Sequence, residues 1–147
     1  MARRANEAGV SLIKEFETLQ LKAYPDPATG GDPWTIGWGH TGDVRPGSTI
    51  TQHQAEAVLD VDLDKFERGV EGLLAGASVS DNAFSALVSF AFNLGLANLK
   101  SSTLMKKVRA GDMGAAANEF SKWVYAAGKK MRGLERRRKA EAALFIS

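Results

Sequence analysis

An α+β fold is predicted for this chain of 147 residues, and three features of the sequence predict it. Residues 19–50 are dense in Gly, Pro, Asp and Thr and hold only short extended runs. Residues 51–74 keep apolar side chains at helical spacing without interruption. Beyond them the chain breaks into shorter helical segments punctuated by Ser, Asp and Gly. The expected architecture is a small antiparallel β-sheet lobe, about residues 19–50, joined by a linking helix, about 51–75, to a mostly helical lobe, about 76–147. The N-terminal helix adds to the helical lobe, and the whole of 1–147 forms one domain. A cleft between such lobes is the natural place for a ligand.

The elements follow in order. Asn6 is an N-cap, and Val10, Ile13 and Phe16 share one face of a first helix ending near Glu17 or Thr18. Tyr24 sits on one short strand and Thr35-Ile36-Gly37-Trp38-Gly39 on another, with Pro25 to Pro33 as turn material between them. So small a sheet must pack on helices. Thr51 and Gln54 form a capping box for the long helix, which carries Val58, Leu59, Leu63, Phe66, Val70 and Leu73. Ser80 caps a helix through Phe84, Leu87, Val88 and Phe92 that ends near Gly95. Ser101 or Ser102 opens a short one that ends at Gly111. Asp112 caps a helix expected to carry Phe120, Trp123 and Val124, Gly128 breaks the chain, and a last helix holds Leu134 to Phe145.

Composition excludes several classes. Hydrophobic residues at 44% and charged residues at 24% describe a globular chain, not a disordered one. Cysteine is absent, so there is no disulfide, thiolate nucleophile or Cys-ligated zinc. No run approaches the roughly 20 apolar residues of a membrane span. The start, Met1-Ala2-Arg3-Arg4-Ala5-Asn6-Glu7, has two arginines but no apolar stretch behind them, so no signal peptide is visible. Net charge is only +2, yet eight cations face two carboxylates between Lys122 and Glu141. That stretch is either the solvated face of a helix or a patch that steers polyanions, with Arg136, Arg137, Arg138 and Lys139 at its centre. No nucleic-acid motif accompanies the charge, so nucleic acid is not the expected partner.

The chemistry narrows to carboxylates. There are two histidines, His40 and His53, without a partner at metal spacing. No Gly-x-Ser-x-Gly elbow and no phosphate-binding glycine loop is present. No metal or cofactor is therefore expected. Glu17 ends an apolar helix face just before the sheet, where partial desolvation favours the protonated form a general acid needs. Asp26 follows in the turn region and Thr35 opens the next strand. One acid, one carboxylate and one hydroxyl can protonate a leaving oxygen and orient a water, the equipment of glycoside hydrolysis.

The blocks Phe16-Glu17-Thr18, Leu21-Lys22-Ala23-Tyr24-Pro25-Asp26 and Thr35-Ile36-Gly37-Trp38-Gly39-His40 resemble the signature of the phage lysozymes of glycoside hydrolase family 24. The family pattern is Phe-Glu-Gly, Leu-x-x-Tyr-x-Asp and Thr-Ile-Gly-x-Gly-His in that order. Phe92-Asn93-Leu94-Gly95, Ser101 to Leu104, Gly111-Asp112 and Gly133 to Glu141 resemble its lambdoid branch, so the likeness runs from about Ser11 to Phe145. Thr18 departs from the pattern, which has Gly there.

The resemblance implies a lysozyme-like fold and a monomeric endolysin. It would hydrolyse the β-1,4 bond between N-acetylmuramic acid and N-acetylglucosamine of peptidoglycan by inverting single displacement. It implies Glu17 as general acid, Asp26 as second carboxylate and Thr35 as the hydroxyl that places water. Phe92, Asn93, Thr103 and Asn118 match substrate-lining positions. His40 is expected to tie the sheet to Asp62 on the long helix, and His53 to be an exposed first-turn residue. Trp34, Trp38 and Tyr24 either stack on sugars or pack the sheet. The protein would be made in the host cytoplasm and act on the wall, in the periplasm, after release through a separate phage pore. Two other readings stand beside this one: a lytic transglycosylase, and a non-catalytic binder of anionic outer-membrane or wall polymers through the basic C-terminal helix.

Overall fold

The computed structural model describes residues 3–147; Met1 and Ala2, on which the reading of the N-terminus partly rests, lie outside the described residues. The chain divides into two compact units, Glu17–Asp64 and Lys65–Ser147, the second joined by the segment that ends at Phe16. Among the described residues no helix is long and apolar enough to cross a membrane.

Helix α1 (Glu7–Glu17) starts where expected, with Asn6 Oδ1 accepting from the Gly9 N–H at 3.0 Å. It stops at Thr18, whose φ of 58° puts a β-branched residue in the left-handed region where glycine is at ease. The unit Glu17–Asp64 follows. Strands β1 (Gln20–Tyr24) and β2 (Thr35–Gly37) pair antiparallel, Gln20 opposite Gly37 and Tyr24 opposite Thr35. Five residues thus face three, and the ladder is irregular between its ends. Residues 48–50 also pair with β1: Ile50 N–H donates to Leu21 O at 3.0 Å and Ala23 N–H to Ser48 O at 2.9 Å. Helix α2 (Gln52–Leu74) opens with the expected capping box. Gln54 N–H donates to Thr51 Oγ1 at 3.1 Å, and Thr51 N–H donates to Gln54 Oε1 at 2.8 Å. Ala23, Ile36, Trp38, Ala55, Leu59 and Leu63 supply this unit's buried apolar residues.

The other unit is built on helix α3 (Asp81–Leu94), in which every residue from Ala83 to Ala91 is buried. A helix apolar on all sides has to be surrounded. Helix α1 crosses it closely: a Cβ added to Gly9 would sit 2.5 Å from Ser85 Cβ, so only glycine fits there. Phe90 meets Phe120 and Trp123 edge-on, with centroids 5.8 and 5.4 Å away. Helices α4 (Leu96–Ser101), α5 (Thr103–Arg109) and α6 (Met113–Glu119) follow, with Ser102 capping α5 and Asp112 capping α6 through their side chains.

Two expectations about the C-terminal third need correction. The helix after Asp112 does not continue to Val124. It gives way to a 3-10 turn at Phe120–Lys122 and then to a hairpin of β3 (Tyr125–Ala126) and β4 (Lys129–Lys130). Ala127 and Gly128 both have positive φ, the geometry of a two-residue hairpin turn. Strands of two residues show no period, so only the break at Gly128 was visible in the sequence.

The second correction concerns the basic run on helix α7 (Arg132–Ile146). Arg136 and Lys139 are exposed, but Arg137 and Arg138 are 3% and 1% exposed and cannot serve a polyanion at the surface. Glu141, wholly buried, lies one turn beyond both and gathers them, 3.3 Å from Arg137 Nε and 2.7 Å from Arg138 Nε. Ser89 Oγ on α3 donates to the same carboxylate at 2.6 Å. Burial pushes the Glu141 carboxyl above its ordinary range, against the pull of Arg138 and Arg137.

Replacing Glu141 by Ala strands two buried guanidiniums, so thermal or denaturant unfolding is expected to show a loss of about 3–5 kcal/mol. Lys139→Ala, on the exposed side of the same helix, changes stability by no more than about 0.5 kcal/mol. Thr18→Gly relieves a left-handed β-branched residue at the cost of a more flexible unfolded chain, a net gain of about 0.5–1 kcal/mol in denaturant unfolding.

Candidate active site

The three residues singled out by their chemistry, Glu17, Asp26 and Thr35, all fall in the compact unit Glu17–Asp64. Glu17 is the last residue of α1 and is half-buried. The left-handed turn at Thr18 then sends the chain directly into β1. At the far end of that strand Tyr24 is half-buried, and its phenol is raised above its ordinary pKa by burial and by the negative charge of Glu17. The Glu17 carboxylate is therefore within electrostatic reach of the Tyr24 ring. Tyr24 is also the cross-strand partner of Thr35, which puts their Cα atoms about 4.5–5.5 Å apart.

Thr35 is buried, and its hydroxyl donates to Pro33 O at 3.3 Å, so the lone pairs of Oγ1 are left to accept. Asp26, two residues past Tyr24, is half-buried and held by its own loop. Its Oδ1 accepts from Ala28 N–H at 2.7 Å, its carbonyl from Gly30 N–H at 2.8 Å, and its N–H donates to Gly31 O at 2.9 Å. That clamp fixes one carboxylate oxygen and leaves Oδ2 without a donor among the described residues. The register of β1 on β2 sets Tyr24 opposite Thr35, and the charge of Glu17 reaches the Tyr24 phenol. Tyr24 is the residue whose place beside Glu17 sequence spacing does not reveal.

His40 and Asp62 are joined: Nδ1 lies 2.8 Å from Asp62 Oδ2, and Nε2 lies 2.8 Å from Gly42 O. Both ring nitrogens face acceptors, so the ring serves as a strut between the β2 turn and α2. His53 is exposed. Trp38 is 7% exposed and packs in the core, while Trp34 is half-buried. Among the described residues no cluster of three or more His, Asp or Glu side chains is arranged to hold a metal ion.

The other candidates belong to the helical unit. Phe92 is half-buried and packs edge-on against Phe66, with centroids 5.2 Å apart. Asn93 Oδ1 accepts from Arg138 Nη2 at 2.8 Å and borders a cavity of about 320 Å³. Thr103 is exposed at the start of α5. Asn118 is exposed at the end of α6 and borders a second cavity of about 280 Å³ with Lys130 and Arg138. Asn93 and Asn118 thus line different cavities. Net charge does not reveal the link from Arg138 to Asn93; the spacing of Arg138 to Glu141, three residues along the same helix, is the sequence signal that points to its pairing.

Comparison with known proteins places these residues in a family. Residues 14–141 match the family model "Phage lysozyme". The endolysin of Bacillus phage B103 is 46% identical over 97% of this chain and 54% of its own length. The endolysin of Acyrthosiphon pisum secondary endosymbiont phage 1 is 40% identical over 97% of each chain. Among solved structures, the muramidase domain of SpmX from Asticcacaulis excentricus superposes with a TM-score of 0.90, at 35% identity over 99% of both chains. The α+β fold expected from the sequence is that of these structures. The chain spans about half the length of the Bacillus phage relatives it matches.

The electrostatic link between Glu17 and Tyr24 has a direct readout. Glu17→Gln removes the carboxylate charge, so the Tyr24 phenol is expected to ionise at lower pH in a phenolate absorbance titration. The chain has two tyrosines, and Tyr24→Phe assigns the signal. An unchanged Tyr24 titration in Glu17→Gln would separate the two side chains.

Proposed function

The chain belongs to the phage lysozyme family, and on that premise we propose that it is an endolysin that hydrolyses the β-1,4 bond between N-acetylmuramic acid and N-acetylglucosamine in bacterial peptidoglycan. The observation that carries the reading is the half-buried Glu17 at the end of α1, in one compact unit with Asp26 and Thr35 and beside the Tyr24 phenol. In this reading the Glu17 carboxyl, protonated, gives its proton to the bridging oxygen as the bond to the anomeric carbon breaks. Asp26, with Oδ1 held by the Ala28 N–H, takes the proton of an incoming water through Oδ2. Thr35 Oγ1, which already donates to Pro33, accepts from that water and aims it. Attack opposite to the leaving group inverts the anomeric carbon and leaves no covalent sugar intermediate. Phe92, Asn93, Thr103 and Asn118 are proposed to contact the glycan, and His40 with Asp62 to steady the sheet.

The protein is proposed to be made in the host cytoplasm and to reach the wall, on the far side of the membrane, through a separate phage pore. Of the basic C-terminal run, Arg137 and Arg138 are buried, and the exposed cations, Arg136 and Lys139 among them, are the ones proposed to touch an anionic envelope.

Clearing of a peptidoglycan suspension tests the reading. Glu17→Gln is expected to slow clearing by at least about a hundredfold, the range of a lost general acid. Equal clearing by both proteins would end the proposal. Mass spectrometry of the fragments is expected to show reducing ends; anhydro-sugar ends would make the enzyme a transglycosylase. The first anomer formed is expected to be α, and an initial β product would replace inversion by retention.

A further inference from the structure

Every residue from Tyr125 to Gly133 is exposed, the longest such run among the described residues. The run takes in the hairpin of β3 and β4 and the start of α7. Two of its side chains are large and apolar, Tyr125 at 61% and Met131 at 45% exposed. The hairpin register sets Tyr125 beside Lys130 and Ala126 beside Lys129. From Lys129 to Arg136 the exposed cations are Lys129, Lys130, Arg132 and Arg136, and Glu135 is the only carboxylate. Glu135 lies 3.8 Å from Lys130; Lys129 and Arg132 pair with no carboxylate among the described residues.

The tip departs from ordinary turn chemistry. A two-residue hairpin turn with positive φ at both positions favours Asn-Gly or Asp-Gly. Here Ala127, at φ 51°, precedes Gly128, at φ 78°. Alanine lacks the short polar side chain with which Asn or Asp eases the left-handed region. The chain thus carries backbone strain and gives up a polar group at an exposed point. Ala126, Ala127 and Gly128 leave the tip without a polar side chain, flanked by a phenol on one strand and two ammonium groups on the other. Such a tip suits a boundary where low polarity meets negative charge. Tyrosine settles at such a boundary with its ring in the apolar layer and its hydroxyl among headgroups. Lysine stems lie along apolar surface while the ammonium reaches outward. A water-soluble polyanion would be drawn by the same cations but would gain nothing from Tyr125, Met131 or the apolar tip.

We propose that the β3–β4 hairpin docks on an anionic phospholipid surface, with Tyr125, Ala126 and Ala127 entering the headgroup boundary and Lys129, Lys130 and Arg132 pairing with lipid phosphates. The inference names the partner of the envelope contact proposed above and moves its centre from the helix, where Arg137 and Arg138 are buried, to the hairpin. It rests on that contact and not on glycan cleavage.

The test is sedimentation of the full chain with vesicles. Vesicles of equal parts phosphatidylglycerol and phosphatidylcholine are expected to carry the protein down, and pure phosphatidylcholine vesicles to leave it in solution. Lys129→Ala combined with Lys130→Ala is expected to weaken binding about thirtyfold, roughly fivefold for each cation lost near an anionic leaflet. Tyr125→Ala is expected to weaken vesicle binding about fivefold through lost apolar contact. The same variant should keep its affinity for soluble polyphosphate, which has no apolar layer. The chain has no cysteine, so Ala126→Cys carries a single environment-sensitive dye. Its emission is expected to shift to the blue on phosphatidylglycerol vesicles, and that of Val61→Cys, exposed on α2, to stay in place. Equal sedimentation with both vesicles, an unweakened double lysine variant, or an unshifted dye at residue 126 would each overturn the inference. So would a Tyr125→Ala that binds vesicles as the wild type does, which would make the hairpin a plain polyanion patch. If a variant melts early, the dye at residue 126 decides. Glu17→Gln is expected to sediment as the wild type does, so loss of wall clearing sinks the hydrolysis alone and loss of vesicle binding sinks the hairpin contact alone.

Discussion

The abrupt end of α1 is the constraint on which the candidate site depends. Glu17 closes the helix, and Thr18, at φ 58°, reverses the chain into β1 within one residue. Because the helix stops there, Glu17 stays within reach of the Tyr24 phenol, and the β1–β2 register carries that neighbourhood on to Thr35. The turn is held in a conformation that costs a β-branched residue about 1–2 kcal/mol. Strain of this kind persists only where the surrounding structure over-determines it. Here the capped start of α1 and the pairing of β1 with both β2 and residues 48–50 do so.

A second constraint operates inside the helical unit. Helix α3 is buried along nearly its whole length and admits polar groups only where they are matched. Ser85 takes the place where Gly9 of α1 crosses, its hydroxyl donating to Asp81 O and accepting from Asn6 N–H. Ser89 donates to Glu141, and Glu141 draws in both Arg137 and Arg138. A cluster of this sort is weak evidence for stability, since desolvation opposes the ion pairs. Its clearer consequence is positional: Arg138 reaches through it to Asn93 on the end of α3. Two arginines that add only to the net charge when the sequence is read become, once folded, a buried brace that ends on an amide.

Most of the architecture was legible because it rests on local signals. Asn6, Thr51, Ser80 and Asp112 each mark a helix start that their side chains then cap. The long period from Thr51 gave α2 its bounds. What escaped was short or non-local. The β3–β4 hairpin has strands of two residues, too brief for any alternation, and α4 has six residues and no side-chain cap. The burial of Arg137 and Arg138 depends on a carboxylate one turn away and a serine on another helix, which net charge does not register. Within the candidate site, Glu17, Asp26 and Thr35 stood out by type and order. The nearness of Tyr24 to Glu17 required the fold, because it depends on where β1 turns after α1.

The most direct test of the central claim is a crystal structure of Glu17→Gln with a bound peptidoglycan fragment. The account predicts the carboxamide of residue 17 within hydrogen-bond reach, about 2.6–3.2 Å, of a bridging glycosidic oxygen. It also predicts Asp26 and Thr35 around a water on the opposite face of the sugar. A fragment seated with residue 17 turned to open solvent, or with that water position out of reach of Asp26, would contradict it.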